Sequence, residues 1–160
     1  MCEKALSQTR AVEASNMPFE VQCDATPAGI RRVLSGTRTQ LSERTLGGAE
    51  TITIAELVLA EILNNISEHA YSNTNCGTIN VMADDLVWAW QFHVFDQGMA
   101  IPEAVQLPTE AATPEASRLP ESGFGLIIIN TLADNLEYKR SNVTNHLSFV
   151  ITKVPAPTPH

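Results

Sequence analysis

Basic residues are scarce in this chain. Ten Lys and Arg stand against 18 Asp and Glu, a net charge of −8 over 160 residues. That balance argues against nucleic acid or an anionic membrane as partner, since both need a basic face. Lysine is rarer still: Lys4, Lys139 and Lys153 are the only ones, no GxxxxGK(S/T) occurs, and a P-loop is excluded. The three cysteines, Cys2, Cys23 and Cys76, are an odd number without CxxC spacing. They predict a reducing compartment and neither a disulfide framework nor a zinc site. No apolar run is long enough to span a bilayer, and the start, MCEKALSQTR, lacks the hydrophobic region of a signal peptide. The expectation is a soluble cytoplasmic protein.

What is there suffices for a core: 44% of the residues are hydrophobic, which suits one domain of ordinary size. The organising stretch is Glu61-Ile62-Leu63-Asn64-Asn65-Ile66-Ser67-Glu68-His69-Ala70-Tyr71, which closes an apolar-rich segment starting near Glu50. A helix turns about 100° per residue, so Glu61, Asn65 and His69 lie on one stripe in steps of about 40°. Ile54, Leu57, Val58, Leu59, Ile62, Leu63 and Ile66 cover most of the remaining circumference, the pattern of a buried helix. A carboxylate and a carboxamide on such a helix must be satisfied, because an unpaired buried polar group is costly. Two readings stand open: an internal hydrogen-bond network, or the floor of a ligand cavity with Glu61 as acid/base and Asn65 as an oxygen ligand.

Along the chain, residues 1–17 read as a loose polar arm. Phe19 to Cys23 alternates like a half-buried strand. Asp24 or Thr26 can cap a helix with Pro27 in its first turn, apolar at Ile30, Val33, Leu34 and Leu41 and ended by Gly47-Gly48. The organising helix spans roughly residues 50–71, and Asn73 to Gly77 is turn chemistry. Thr78–Met82 and Leu86–Phe95 then read as strands turning at Ala83-Asp84-Asp85. In the second, Trp88, Trp90, Phe92 and Val94 share a face, with the two tryptophans as core or interface packing and His93 as an ordinary strand histidine. Asp96-Gln97-Gly98 breaks that strand. Residues 103–122 have no usable periodicity, and loops that long are functional or disordered. Gly123-Phe124-Gly125 opens a second apolar helix, Leu126–Ala133. Two strand-like runs, Leu136–Arg140 and His146–Lys153, close the chain around a Ser-Asn-Val-Thr-Asn turn, and residues 155–160 form a tail. Helices grouped around hairpin-connected strands predict an α+β two-layer sandwich, its helices on one face of a mixed, mostly antiparallel sheet. The domain spans 18–154.

Asp-x-Gly and Gly-x-Gly are each weak signals alone, but their order after the Glu61/Asn65 helix is more specific. Here the sequence resembles the GHKL (histidine-kinase-like) ATPase superfamily of gyrase, heat-shock chaperones, histidine kinases and mismatch-repair ATPases. Within it, the chain is similar to the bacterial anti-sigma factor serine kinases. Glu61-x-x-x-Asn65-x-x-x-His69-Ala70-Tyr71 resembles the N box, and the His-Ala-Tyr ending is typical of that branch. Asp96-Gln97-Gly98 resembles the first glycine box, with Met99-Ala100 where a second glycine often stands. Gly123-Phe124-Gly125-Leu126-x-x-Ile129-x-x-Leu132-x-Asp134 resembles the second. The likeness runs over roughly residues 19–153.

The resemblance implies the Bergerat ATP-binding fold, with ATP and Mg²⁺ as cofactors. It makes Glu61 the catalytic base that activates the attacking hydroxyl and Asn65 the Mg²⁺ ligand. One helical turn puts these two side by side, as in-line phosphoryl transfer needs. Asp96 would accept a hydrogen bond from the adenine amino group and Gly98 would admit the base. Gly123, Gly125 and Leu126 would face the phosphates at a helix start, His69 joins the nucleotide-binding set, and 103–122 is the ATP lid. The implied function is an ATP-dependent serine/threonine kinase and anti-sigma factor. Its partners would be a STAS-type anti-anti-sigma protein, phosphorylated on serine, and a sigma factor, with a homodimer possible. The competing reading is a regulatory binding module of the same fold with weak or no ATP turnover. The catalytic part of a sensor histidine kinase is disfavoured, since no phosphoacceptor helix or coiled coil precedes the domain and the His-Ala-Tyr ending points elsewhere.

Overall fold

A computed structural model of the chain describes residues 18–44, 48–71, 77–101 and 124–155. The expected arm at 1–17, the turn at 73–76, the lid at 103–122, Gly123 and the tail beyond Pro155 lie outside these residues.

The elements run β1 (Phe19–Asp24), α1 (Pro27–Arg44), α2 (Ala49–Asn65), a π-helical turn (Ile66–Ala70), β2 (Thr78–Asp85), β3 (Ala89–Asp96), α3 (Phe124–Leu132), β4 (Asp134–Ser141) and β5 (Thr144–Thr152). The five strands form one sheet in the order β1-β2-β3-β5-β4, and all four neighbouring pairs are antiparallel. Because β5 inserts between β3 and β4, the connection from β3 through α3 to β4 steps over one strand. The three helices cover one face, giving the two-layer α+β sandwich that the pattern of elements predicts.

Local chemistry explains the helix starts. Thr26 caps α1, its Oγ1 accepting from Gly29 N at 3.1 Å, with Pro27 as the first helical residue. A Cβ on Gly29 would sit 2.1 Å from the Asp24 carbonyl oxygen, so glycine lets α1 fold back tightly over the end of β1. The start of α2 is tied to the end of the sheet: Val154 N donates to Thr51 Oγ1 (2.8 Å) and Gly48 N to the Val154 carbonyl (3.3 Å).

The core forms where α2 lies over the sheet. Ala55, Val58, Leu59, Ile62 and Leu63 meet Ile79, Val81 and Ala83 of β2, Trp90, Phe92 and Val94 of β3, and Phe149 and Ile151 of β5. Phe92 and Phe149 stack at 5.1 Å between centroids across the β3–β5 pair. Two expectations are corrected. First, α2 is not buried all round: Leu57 is exposed, because α1 and α3 flank the helix and leave that side uncovered. Second, the β2–β3 turn falls three residues later than expected, since β2 runs through Asp85 and the corner is Leu86-Val87-Trp88. Trp88 is therefore not core but 60% exposed, whereas Trp90, two residues on, is sealed. His93 is a strand residue on the outer face, its Nδ1 2.9 Å from His146 Nε2.

That late turn is strained. Val87 has φ = 69°, a conformation in which a β-branched side chain is an outlier. It is held by a hydrogen bond from Val87 N to Asp85 Oδ1 at 2.8 Å. Since Val87 is 80% exposed, its side chain contributes little packing to offset the strain. Val87→Asn, which tolerates positive φ, is expected to stabilise the protein by about 1 kcal/mol, read as a rise in the urea midpoint with unchanged m-value.

Candidate nucleotide-binding site

The π turn is where the site is assembled. After Asn65 the backbone widens to i→i+5 spacing over Ile66–Ala70. His69, inside that turn, is exposed. The widened turn delivers Ala70 and Tyr71 to the end of β3. Met99 N donates to the Ala70 carbonyl (3.0 Å). Gln97 N donates to Tyr71 Oη (2.9 Å), whose own proton goes to the Thr78 carbonyl (3.3 Å). Gly98 lies so close that a Cβ would come within 2.4 Å of Ala70 Cβ and 2.7 Å of its carbonyl oxygen. The glycine of the Asp-Gln-Gly corner is thus required by packing against the end of the helix.

Asp96 is only 6% exposed. It continues the inward-facing row of Trp90, Phe92 and Val94, at the point where the core gives out. Its Oδ1 accepts from Gly98 N and from Asn145 Nδ2, both at 2.8 Å. Its Oδ2 has no hydrogen-bond partner among the described residues. Burial raises the Asp96 carboxyl above the ordinary aspartate value, while the two hydrogen bonds and the nearby Arg140 charge pull it back.

Glu61 and Asn65 lie further back along α2, half-buried, and neither side chain bonds another described residue. They face the first turn of α3: a Cβ on Gly125 would stand 2.5 Å from Glu61 Oε2 and 3.8 Å from Asn65 Nδ2. Glycine there lets a helix start, with its unpaired N–H groups, approach the carboxylate and the carboxamide. Leu126 follows, half-buried. The structure so brings Glu61, Asn65 and Gly125 together, and Asp96 with Gly98.

The donor set fits Mg²⁺. Among the described residues no cluster of three His, Cys, Asp or Glu could hold a metal unaided. Mg²⁺ is ordinarily held by one or two protein oxygens together with substrate phosphates, and Asn65 offers an amide oxygen that no described residue occupies. A cavity of about 870 Å³ adjoins the Asp96 corner, lined by Asp96, Tyr71 and Gln97 together with Gln22, Asn80 and Phe95 among others. Glu61 and Asn65 do not line it.

Comparison with known proteins gives the family. Residues 23–151 match the model of the histidine kinase-like ATPase domain. The chain belongs to that family. This histidine kinase-like ATPase domain is similar to a structure of the RsbU and RsbW domains of Rv1364c from Mycobacterium tuberculosis, at TM-score 0.60 and 18% identity over 86% of this chain and 32% of that one. The histidine kinase domain of the blue-light activated histidine kinase EL346 from Erythrobacter litoralis gives TM-score 0.52 and 20% identity, over 79% of this chain and 60% of that one. The catalytic domain of the histidine kinase ThkA gives 0.50 and 17%, over 86% and 99%. This chain thus spans about a third of the first structure and 60% of the second, and at these identities the likeness is one of fold. No curated protein matches the chain.

The sequence reading missed Asn145, Arg140 and Tyr138, which surround Asp96. The signal was there: Asn145 and Tyr138 sit on strands at inward-facing positions, where a polar residue needs a partner. Asn145 closes the Ser-Asn-Val-Thr-Asn stretch, whose turn chemistry hides its place on β5. The two glycines make opposite predictions. Gly98→Ala drives a methyl into helix backbone and is expected to cost about 1–3 kcal/mol of stability. Gly125→Ala meets only the movable end of Glu61, so the denaturation midpoint should hold or rise while Glu61 is displaced. Urea unfolding of the two variants checks this.

Proposed function

We propose that this domain is an ATP- and Mg²⁺-dependent protein serine kinase and anti-sigma factor, acting on a serine of a STAS-type anti-anti-sigma partner. One observation carries the reading: polar groups without partners among the described residues mark both ends of a single helical segment. Glu61 and the Asn65 amide stand at one end against the start of α3. At the other end, Ala70 and Tyr71 hold the corner that presents Asp96 Oδ2. At ~1.5 Å per residue, Glu61 and Ala70 are roughly 13 Å apart along the axis, a span that suits a nucleoside triphosphate with its base at Asp96 and its phosphates at Gly125.

The roles follow from the chemistry of each group. Asp96 accepts from an exocyclic amino group of the base through Oδ2. Asn65 supplies an oxygen to Mg²⁺, and the ion, when bound, neutralises phosphate charge. Helix-start N–H groups at Gly125 face phosphate oxygens. Glu61 takes the proton of the incoming serine hydroxyl as its oxygen bonds to the γ-phosphorus and the bond to ADP breaks. An acidic chain with so few lysines has to draw affinity from the ion and from burying the base, because a helix N-terminus offers only about 0.3–2 kcal/mol to an anion.

Support for the anti-sigma branch comes from the His69-Ala70-Tyr71 ending, two of whose residues grip the Asp96 corner, and from the RsbW domain in one similar structure. Phosphorylation of the STAS partner would add charge at the shared interface, release it and free the kinase to sequester sigma. The non-catalytic alternative draws on Ala100, where relatives often have glycine; Ala100 is exposed here, which favours the catalytic reading.

Incubation with Mg-ATP and a cognate STAS protein is expected to give phosphoserine on that protein. Glu61→Gln should slow transfer by about 10²–10⁴-fold with ADP affinity nearly unchanged. Wild-type rates in Glu61→Gln, or no phosphoserine at all, would contradict the proposal.

A further inference from the structure

The Asn145 carboxamide can sit in only one orientation. Its Nδ2 donates to Asp96 Oδ1 (2.8 Å), the Met99 carbonyl (3.1 Å) and the Gly98 carbonyl (3.3 Å). Its Oδ1 accepts from Arg140 Nη1 (2.5 Å) and Tyr138 Oη (2.7 Å). Every neighbour on the nitrogen side is an acceptor and every neighbour on the oxygen side a donor, so a flipped amide would set its oxygen against a carboxylate and its NH₂ against a guanidinium. Arg140 also donates to the Gly98 carbonyl at 3.0 Å, and Tyr138 Oη accepts from Ile101 N at 3.2 Å. The corner after β3 is thereby pinned from β4 and β5 as well as from the helix. Neither Arg140 nor Tyr138 belongs to the motifs that carry the family resemblance.

We propose that Arg140 and Asn145 are positioning residues that hold Asp96 as an anion with one free oxygen, and so select a 6-amino purine over a 6-oxo purine. The proposal rests on the nucleotide-site reading above and adds to it which residues set base choice. The logic is electrostatic. An ionised Asp96 accepts from a 6-amino group through Oδ2 and repels the lone pairs of a 6-oxo group. A protonated Asp96 would instead have a hydrogen to donate to that oxygen, and discrimination would fade. Burial pushes the carboxyl toward protonation. Among the described charged groups acting on it, Arg140 is the cation; Tyr71 faces it from the helix side as a neutral phenol whose own titration burial moves upward. Tyr138 reaches it only through Asn145. Arg140 itself is exposed on β4, so replacing it leaves the core intact.

The sign is definite. Removing Arg140 raises the pH at which Asp96 protonates, so affinity for a 6-amino purine nucleotide fails sooner as pH falls. The test compares wild type, Arg140→Met and Arg140→Lys in two measurements. The first is titration calorimetry with ADP and with GDP from pH 5.5 to 8.5; the second follows the Asp96 carboxyl carbon by NMR without nucleotide. In Arg140→Met the carboxyl should titrate at higher pH. ADP affinity should fall at the acid end, about tenfold per unit of that rise, and the ADP-to-GDP preference should narrow. Arg140→Lys, which keeps the charge, should restore most of the wild-type profile. An Asp96 titration that does not move in Arg140→Met, or a base preference that does not narrow, would overturn the proposal. If wild type binds neither nucleotide while the NMR shift occurs, the nucleotide reading and the selectivity fall and the electrostatic locking of Asp96 stands.

Discussion

The contact between Gly98 and Ala70 is the constraint on which the site depends. It joins the end of the longest apolar helix segment to the end of a central strand with no room for a methyl group. Through it, the helix that carries Glu61 and Asn65 is tied to the strand that ends in the buried Asp96, although the two come from opposite layers of the sandwich. The π turn makes the contact possible.

Polar groups at this junction are satisfied from two sides. Ala70 and Tyr71 serve the backbone of Gln97 and Met99 from the helix layer. Asn145, Arg140 and Tyr138 serve Gly98, Met99 and Ile101 from the sheet. Burying the Asp96 carboxylate would cost several kcal/mol without partners. Here one of its oxygens is engaged twice, and the other has no partner among the described residues. Glu61 and the Asn65 amide have the same character: half-buried, held against Gly125 and bonded to no described neighbour. Groups of this kind are what the nucleotide-site reading proposed above draws on.

Much of this was legible in the sequence because it rests on short-range rules. The cap at Thr26, the alternation of β1, the hydrophobic segment of α2 and the glycine corners are each set within a few residues. The order of the three motifs carried the family. What failed to show depended on tertiary geometry. The corner at Leu86-Val87-Trp88 defeats turn chemistry because it places a β-branched residue at positive φ, so the strand seemed to begin early and Trp88 seemed to belong to the core. Leu57 looked buried because periodicity counts apolar side chains and cannot count the neighbours that cover them. The π turn has no local signature, so the widening after Asn65 does not show in the sequence. Asn145 and Arg140 acquire their roles from strand register, Asp96 opposite Asn145 and Arg140 opposite Asn145, which a single sequence does not display.

The most direct measurement is a crystal structure of the chain with Mg²⁺ and a non-hydrolysable ATP analogue. The account predicts the base amino group within hydrogen-bond distance of Asp96 Oδ2, the Asn65 amide oxygen on the metal, and the γ-phosphate beside Glu61 and Gly125. A nucleotide whose base does not meet Asp96, or whose phosphates leave Glu61 and Asn65 untouched, would contradict it.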